Sequence, residues 1–274
     1  MQAVELRVRR CAERVEVVME AQVTSPPWPK PNVVADDAPW AWLAAGWQDF
    51  KQDPVLSLGY GLVFVAAGYA MSIGLWRLGL SAFIPVAVGA FALVGPMMAM
   101  GLYELSRRRQ AGEPLEITKI VFVNAASPMQ IAYVGFLIMF GLFVWARIAM
   151  LLYALFVSGT YLPLADFTTF ALGTPQGLAM LGVGTVIGGM IAFVLFALTA
   201  FSIPMLMDRD TDFFTAIASS LDALKTNTKA VFLWAWIIGF SIVIGAATGL
   251  LAFLVLFPLL GHATWHAYRN MFAD

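Results

Sequence analysis

Long apolar stretches separated by short polar connections occupy most of the chain after residue 54. Four stretches cover 55–76, 79–104, 129–157 and 177–207, and a fifth runs from Lys229 to Arg269. A transmembrane helix needs about 20 predominantly apolar residues. The fifth stretch is therefore long enough for two helices, joined by a turn near the glycines of 245–249. The pattern predicts six transmembrane helices.

Lysine and arginine are distributed unevenly between the polar connections. Fourteen of the sixteen basic residues fall on the side that holds both termini: Arg7, Arg9, Arg10, Arg14, Lys30, Lys51, Arg107, Arg108, Arg109, Lys119, Arg209, Lys225, Lys229 and Arg269. The opposite connections contain only Arg77, and Arg147 lies inside the third span. Because cytoplasmic loops carry an excess of lysine and arginine, both termini are predicted to be cytoplasmic.

Amphipathic segments precede the first, third and fifth predicted spans, at 40–54, 114–128 and 214–228. Aligned on Pro54, Pro128 and Thr228, the segments match Leu43 with Ile117 and Ile217, and Trp47 with Val121 and Leu221. Spacings of three, four and seven residues place side chains on one face of a helix. Each predicted hairpin of two spans is therefore expected to begin with an amphipathic helix at the cytoplasmic membrane surface.

A proline marks the cytoplasmic half of the second helix in each hairpin, at Pro96, Pro204 and Pro258. Membrane helices tolerate proline, so this agreement alone has an ordinary explanation. Together with the amphipathic segments, however, it indicates a threefold internal repeat. The predicted fold is an all-α membrane protein of three helical hairpins around a pseudo-threefold axis. A charged, flexible tail (1–37) precedes the membrane domain (38–270), whose repeat units cover about 38–110, 112–208 and 211–270.

Composition agrees with the membrane class and excludes several others. Apolar residues make up 61% of the chain and charged residues 12%, whereas about a quarter of a soluble domain is charged. The net charge of −1 provides no basic field for nucleic acid, so the lipid bilayer is the expected partner. The single cysteine, Cys11, excludes an internal disulfide and a cysteine-based zinc or iron–sulfur site.

Polar residues cluster four and eight positions after the three prolines. If the repeat brings them together, carboxylates and imidazoles at the cytoplasmic rim could hold a divalent metal or haem. Their spacing matches no metal-binding motif, and such residues are common at membrane boundaries, so an interfacial polar cluster is the favoured interpretation and no cofactor is predicted. The candidate metal ligands are Glu104, Asp208, Asp212, His262 and His266.

A second candidate site is Arg147, which lies within the third predicted span. A charge at that depth costs about 2.5–3.5 kcal/mol on insertion scales, so a partner is expected, and Asp166 is the nearest acid by depth. Arg147 and Asp166 could contact a solute or ion along a transport path. Alternatively, Arg147 is an anchor that bonds backbone carbonyls or extends its guanidinium toward the outer surface.

Several stretches resemble a known family. They are "WLAAGWQDF", "DPVLSLGYGL", "GPMMAMGLYELSRR", "LMDRDTDFFTAIASSLDAL" and "PLLGHATWHAYR". Over about residues 38–270 the chain is similar to a family of bacterial integral membrane proteins of unknown function, some labelled as a cytochrome c oxidase subunit. The resemblance implies a multi-span inner-membrane protein and supplies no catalytic residue. A catalytic oxidase subunit needs several haem and copper histidines, and this chain has two histidines, both at one rim.

Three hypotheses of function follow. The first is a non-enzymatic accessory or scaffold protein that acts through lipids or other membrane proteins, such as respiratory-chain components. The second is a small-solute transporter or channel-like protein whose path is lined by Arg147. The third is metal or haem handling at the cytoplasmic rim.

Overall fold

A computed structural model describes residues 28–157, 162 and 164–272 of the chain, and these residues form helices and connections without a strand. The helices are α1 (Ala38–Gln52), α2 (Pro54–Arg77), α3 (Ile84–Met98), α4 (Met100–Ala111), α5 (Ile117–Val121), α6 (Pro128–Phe156), α7 (Leu164–Gly173), α8 (Pro175–Thr199), α9 (Ser202–Asp208), α10 (Phe213–Thr226), α11 (Thr228–Ala247) and α12 (Phe253–Phe272). The all-α prediction is confirmed for the described residues.

Five helical segments are long and apolar enough to cross a membrane. They are Pro54–Arg77, Val86–Ala111, Pro128–Phe156, Pro175–Asp208 and Thr228–Ala247. Their bounds lie close to the predicted spans, so several membrane-crossing helices are confirmed. The sixth predicted span corresponds to α12, which is not among the five. The C-terminal half of α12 is polar because it carries both histidines, Arg269 and Asn270.

Two predicted segments differ in length from the helices observed. The second span was expected over 79–104, but α3 ends two residues after its internal Pro96, and α4 continues to Ala111. Proline removes a backbone donor and clashes with the preceding turn, which explains the break. The middle amphipathic segment forms only the five-residue α5, because Pro114 and Asn124 flank a short helical stretch. The connection expected over 158–176 contains one further helix, α7.

The amphipathic helices pack in a cyclic order. α1 packs against α12, α5 packs against α4, and α10 packs against α8 and α9. In terms of the predicted repeat, each of these three helices contacts the second helix of the preceding predicted hairpin, with the first hairpin following the third. The three junctions into the following spans have similar backbone angles: φ −130° and ψ 66° at Asp53, −129° and 68° at Ser127, and −122° and 45° at Asn227.

Glycines allow α12 to lie close to α1 and α2. A Cβ atom added at Gly46 in α1 would lie 2.7 Å from the backbone nitrogen of Ala263. At Gly61 in α2, an added Cβ would overlap the backbone carbonyl of Leu254. Since backbone atoms cannot move aside easily, these contacts require glycine, and they bring α1, α2 and α12 near enough for polar side chains to meet.

The segment before α1 is tied to the helical body. The backbone N–H of Asn32 donates to the carbonyl of Met271 over 2.7 Å. The N–H of Val34 donates to Oδ1 of Asn227 over 2.8 Å, and the Asn227 side chain donates back to the Asn32 carbonyl. Residues 1–27 of the predicted flexible tail lie outside the described residues. Asn32 and Val34 are held by these hydrogen bonds, and the flexible tail and its boundary at residue 37 stay a prediction.

Candidate functional site

A chain of buried hydrogen bonds joins α1, α2, α4 and α12. The hydroxyl of Ser106 donates to Oδ2 of Asp49 over 2.6 Å and lies 2.8 Å from Nδ1 of His262. Nε2 of His262 lies 3.0 Å from the hydroxyl of Ser57, and Nε2 of His266 lies 2.8 Å from the same Asp49 oxygen. These five residues are called the Asp49 network.

The network assigns a protonation state to His262. A serine hydroxyl has one proton, and Ser106 donates that proton to the Asp49 carboxylate. The Ser106 oxygen must therefore accept from Nδ1–H of His262, which leaves Nε2 of a neutral imidazole as an acceptor for the Ser57 hydroxyl. With this assignment, each hydrogen bond among Asp49, Ser106, His262 and Ser57 has one donor and one acceptor.

Helical spacing explains how the network forms. The buried positions of α1 include Trp42, Gly46 and Asp49, and spacings of four and three residues place them on one face. His262 and His266 are four residues apart on α12, so their side chains also share a face. The close approach of α1 to α12 then puts a carboxylate opposite two imidazoles.

Burial and hydrogen bonding together set the pKa of Asp49 in the network. Ser57, Ser106 and His262 are fully buried, and Asp49 is 6% exposed. Burial by itself would raise the pKa of Asp49, but the hydrogen bonds with His266 and Ser106, together with the electrostatic attraction of His266, outweigh it. The pKa of Asp49 is consequently below its usual range, and the carboxylate stays ionised at neutral pH.

The connectivity of hydroxyl, imidazole and acid resembles an activated serine. A nucleophile must be accessible to a substrate, however, and the Ser57 hydroxyl is fully buried between helices. His266 is the partly exposed member of the network, with 18% of its side chain exposed. The geometry of the network instead cross-links four helices through satisfied buried polar groups, which favour one arrangement of the helices over others.

Glu104, a predicted rim residue, is paired with arginines. Its carboxylate accepts from Nε of Arg107 over 2.7 Å and from Nε of Arg108 over 2.6 Å. Both arginines also lie near Glu113. Glu104 itself is 5% exposed, so this cluster neutralises a buried carboxylate at the end of α4.

The remaining rim acids have separate partners. Asp208 accepts from the hydroxyl of Tyr268 over 2.8 Å. Asp212 caps α10, because its Oδ1 accepts from the backbone N–H groups of Phe214 and Thr215 over 2.9 and 3.0 Å. These bonds satisfy the first turn of α10 and hold the pKa of Asp212 below its usual range, the Thr215 hydroxyl contributing most.

The five predicted metal ligands thus divide among four local arrangements. Only His262 and His266 belong to the same one, the Asp49 network. In the part of the chain that the structure describes, no three side chains of histidine, cysteine, aspartate or glutamate are grouped so as to hold a metal ion.

Arg147 and Asp166 occupy exposed positions on α6 and α7. The guanidinium carbon of Arg147 lies 4.9 Å from the ring centroid of Phe143, one turn earlier on its own helix, in a cation–π contact. Asp166 lies in the first turn of α7, where a negative charge is favourable. No ion pair joins the two among the described residues. Their pairing stays a prediction.

Sequence reasoning missed three members of the Asp49 network: Asp49, Ser57 and Ser106. A signal existed for Asp49, which follows Trp42 by seven residues and so shares its helix face. Ser57 and Ser106 gave none, since a serine inside a helix usually bonds its own backbone. Their roles depend on His262, which is 205 and 156 residues away in the chain.

Comparison with known protein families supports the assignment of the chain to the integral membrane proteins. Residues 83–208 match the sequence model of a family described as "Predicted integral membrane protein (DUF2189)". The chain matches no curated protein and no solved structure. The matched region extends from the start of α3 to the end of α9, and so contains three of the five membrane-crossing segments. The match confirms the resemblance to this family of unknown function, and the protein is a multi-pass integral membrane protein.

Proposed function

We propose that the protein is a non-enzymatic scaffold of the bacterial inner membrane that acts through lipid or membrane-protein partners. The observation that carries the proposal is an apolar surface on the amphipathic helices that the fold does not cover. Trp40 and Trp47 of α1 are 58% and 42% exposed. Ile117 and Val121 of α5 and Phe214 of α10 are also exposed. We call these five residues the outer apolar face.

The opposite faces of α1 and α10 are buried. Trp42 and Phe50 of α1, and Ala216 and Ala223 of α10, pack into the core. α1 and α10 therefore each bury apolar side chains against the protein and expose other apolar side chains at its surface. Tryptophan suits the headgroup region because its ring is apolar and its N–H is polar. Helices with this character lie in the plane of the membrane surface.

The internal repeat supports a ring of three such helices. The cyclic packing order and the matching backbone angles at Asp53, Ser127 and Asn227 are independent of the sequence alignment that predicted the repeat. A pseudo-threefold arrangement of hairpins would place α1, α5 and α10 on the same side of the membrane. The scaffold would then present its outer apolar face around one membrane surface.

Contacts near the two ends of the described chain support six crossings. Asn32 bonds to Met271, and Trp42 Nε1 donates to Asn270 over 3.1 Å, and these contacts support a location of both segments on the same side. A chain that starts and ends on the same side crosses an even number of times. The five apolar segments and α12 together satisfy this condition. The basic residues of the connections support a cytoplasmic location for that side.

The two other hypotheses lack a specific supporting observation. A transport path would need Arg147 in a polar cavity, whereas its guanidinium packs on Phe143 at an exposed position. A metal or haem site would need the rim residues to converge, whereas they have separate partners. We therefore propose a protein without a cofactor or catalytic residues.

Topology is tested with single cysteines in a Cys11→Ser background. Cysteine at Asp36, Glu116 or Asn270 should react with a membrane-impermeant maleimide only in inside-out vesicles. Cysteine at Leu78, which is 75% exposed, should react only in right-side-out vesicles. Labelling of the Asp36 and Asn270 positions from opposite sides would reject the six-span arrangement.

Scaffolding is tested by purification in a mild detergent, followed by identification of co-purifying proteins and lipids. The double variant Trp40→Gln/Trp47→Gln should lose the partners that the unmodified protein retains. A matched control is Trp76→Gln, which alters a 67% exposed indole at the opposite end of α2. Purification of the unmodified chain without any partner protein or specific lipid would contradict the proposal.

A further inference from the structure

An apolar cleft of about 510 Å³ lies between α8 and α11. Its floor includes residues of α3, α4 and α12. The cleft therefore lies where the second hairpin meets the third. Its aromatic walls consist of Phe193, Phe196, Phe232, Trp234, Trp236 and Phe240.

The cleft opens toward the surface that contacts the bilayer. Trp236 and Phe240, at its mouth, are 73% and 62% exposed, and both belong to a membrane-crossing segment. The lining contains no acidic, basic or histidine side chain. An ionic ligand would find no partner there, so the chemistry of the walls selects a long apolar chain, which lipid supplies.

One residue of the cleft wall has a polar atom without a partner among the described residues. Trp234 lines the cleft and is fully buried, and its indole packs edge to face against Trp42 at 5.8 Å. Its Nε1–H makes no hydrogen bond to any described residue. A buried donor without an acceptor destabilises the folded protein. An acceptor carried by a bound molecule would remove this cost.

Neighbouring hydroxyls do not supply that acceptor. Thr199 and Thr264 also line the cleft. Each donates to a carbonyl of its own helix, Leu195 at 2.8 Å and Leu260 at 2.7 Å. Neither hydroxyl oxygen accepts from Trp234, whose Nε1–H has no acceptor among the described residues.

The depth of Trp234 indicates which part of a lipid carries the acceptor. Trp234 is six residues into α11, or about 9 Å from its start at 1.5 Å per residue. This level is just below the headgroup region on the side of α1 and α10. The ester carbonyls of a phospholipid, which accept but do not donate, lie between the charged headgroup and the acyl chains.

We propose that the cleft binds one phospholipid from the leaflet on the α10 side. One acyl chain lies between α8 and α11, and an ester carbonyl accepts from Nε1–H of Trp234. The phosphate stays outside, where water is present. The inference deepens the proposed function, because it assigns a lipid partner to a defined site, and it depends on the placement of the helices in a bilayer.

Two glycines allow the cleft to be filled without disturbing the fold. Gly189 and Gly239 line the cleft, and a Cβ atom added at either meets no other atom within 4 Å. In Gly189→Leu/Gly239→Leu the new side chains would occupy the space of the acyl chain. Gly182→Leu is the matched control, because Gly182 also lies on α8 in open space but does not line the cleft.

The probe is a phosphatidylethanolamine with a diazirine in one acyl chain, reconstituted with the full-length protein and photoactivated. Crosslinks should concentrate on the peptides of Phe193, Phe232 and Phe240, fall at least fivefold in the filled variant and stay unchanged in the Gly182→Leu control. Crosslinks spread evenly over the membrane-facing helices, or undiminished in the filled variant, would overturn the proposal.

The hydrogen bond is tested with Trp234→Phe, which keeps an aromatic ring and removes the N–H. Phospholipid that remains bound to the purified protein through detergent washing should fall severalfold, whereas Trp76→Phe should retain it. Equal retention by Trp234→Phe would reject the role of the N–H. If crosslinks form in the cleft but no partner is captured, the scaffold proposal is rejected and the lipid site is retained. The failure of the lipid site can therefore be distinguished from the failure of the scaffold proposal.

Discussion

Ser106 Oγ and His262 Nδ1 lie 2.8 Å apart, although 156 residues separate them in the chain. Ser106 belongs to the first hairpin and His262 to the last helix. Their contact shows that the Asp49 network joins the two ends of the predicted repeat. Breaking the network should therefore loosen the ring of hairpins where the first and third meet.

Replacement of His262 tests the energy of the network. His262→Leu leaves the Ser57 and Ser106 hydroxyls without their imidazole partner, and we expect the free energy of unfolding to fall by about 1–3 kcal/mol. Thermal unfolding in detergent measures the loss. A double-mutant cycle with Ser57→Ala should show a coupling of at least about 0.5 kcal/mol. Additive losses would mean that the two side chains do not act together.

Acid should weaken the same network. The pKa of Asp49 is lowered in the folded protein, so its contribution to stability is complete above the ordinary pKa of about 3.9. That contribution is lost as the pH falls through the lowered value of the folded state. We expect the melting temperature of Asp49→Asn to depend less steeply on pH between 5 and 3 than that of the unmodified protein.

The control for this pH series is Asp36→Asn. Asp36 forms an exposed ion pair with Lys229, and exposed pairs contribute little to stability. Its melting profile should follow the unmodified protein at each pH. A profile for Asp49→Asn as steep as that of the unmodified protein would show that other groups govern the acid sensitivity.

Close packing of α2 on α12 gives a third prediction. Gly61→Ala should lower the free energy of unfolding by about 1–3 kcal/mol, because the added methyl group overlaps the Leu254 backbone. Gly59→Ala, two residues earlier on the same helix, meets no atom within 4 Å and should leave stability unchanged or slightly raised. Equal effects of the two variants would show that α2 and α12 can separate without cost.

Capping of α10 gives a fourth prediction. Asp212→Ala removes the acceptor for two backbone N–H groups and should cost about 1 kcal/mol. Asp212→Asn keeps an acceptor at the same position and should retain most of the stability. Hydrogen exchange at Phe214 and Thr215 should increase in the alanine variant only. Unchanged exchange in both variants would exclude the capping role.

The hydrophobic pattern of the sequence predicted the helices that are apolar along their whole length. The first span was expected at 55–76 and α2 covers Pro54–Arg77; the third was expected at 129–157 and α6 covers Pro128–Phe156. In these helices a continuous apolar sequence determines the element locally. α4 begins in an apolar stretch and ends in a polar one, so the predicted span ends before the helix does. The apolar run stops at Glu104, but ion pairs with Arg107 and Arg108 allow the helix to continue.

The candidate site was predicted less well than the spans, because its members interact across the chain. His262 and His266 were identified as notable, and the interpretation as boundary residues assumed contact with water. His262 is instead fully buried, since Ser57 and Ser106 replace water as its partners. Two serines in apolar segments carry no sign of such pairing. Only the packing of α12 against α1, α2 and α4 reveals it.

The close approach of α12 to α1 and α2 also constrains the order of folding. α1 and α2 are synthesised well before α12, and domains begin to fold during synthesis. Until α12 arrives, Asp49 lacks its contact with His266, and the bare backbone at Gly46 and Gly61 lacks the α12 backbone that covers it. The first hairpin must therefore wait in the membrane in an incomplete form, and a chain interrupted before residue 262 would leave an acidic group exposed for quality-control proteases to detect.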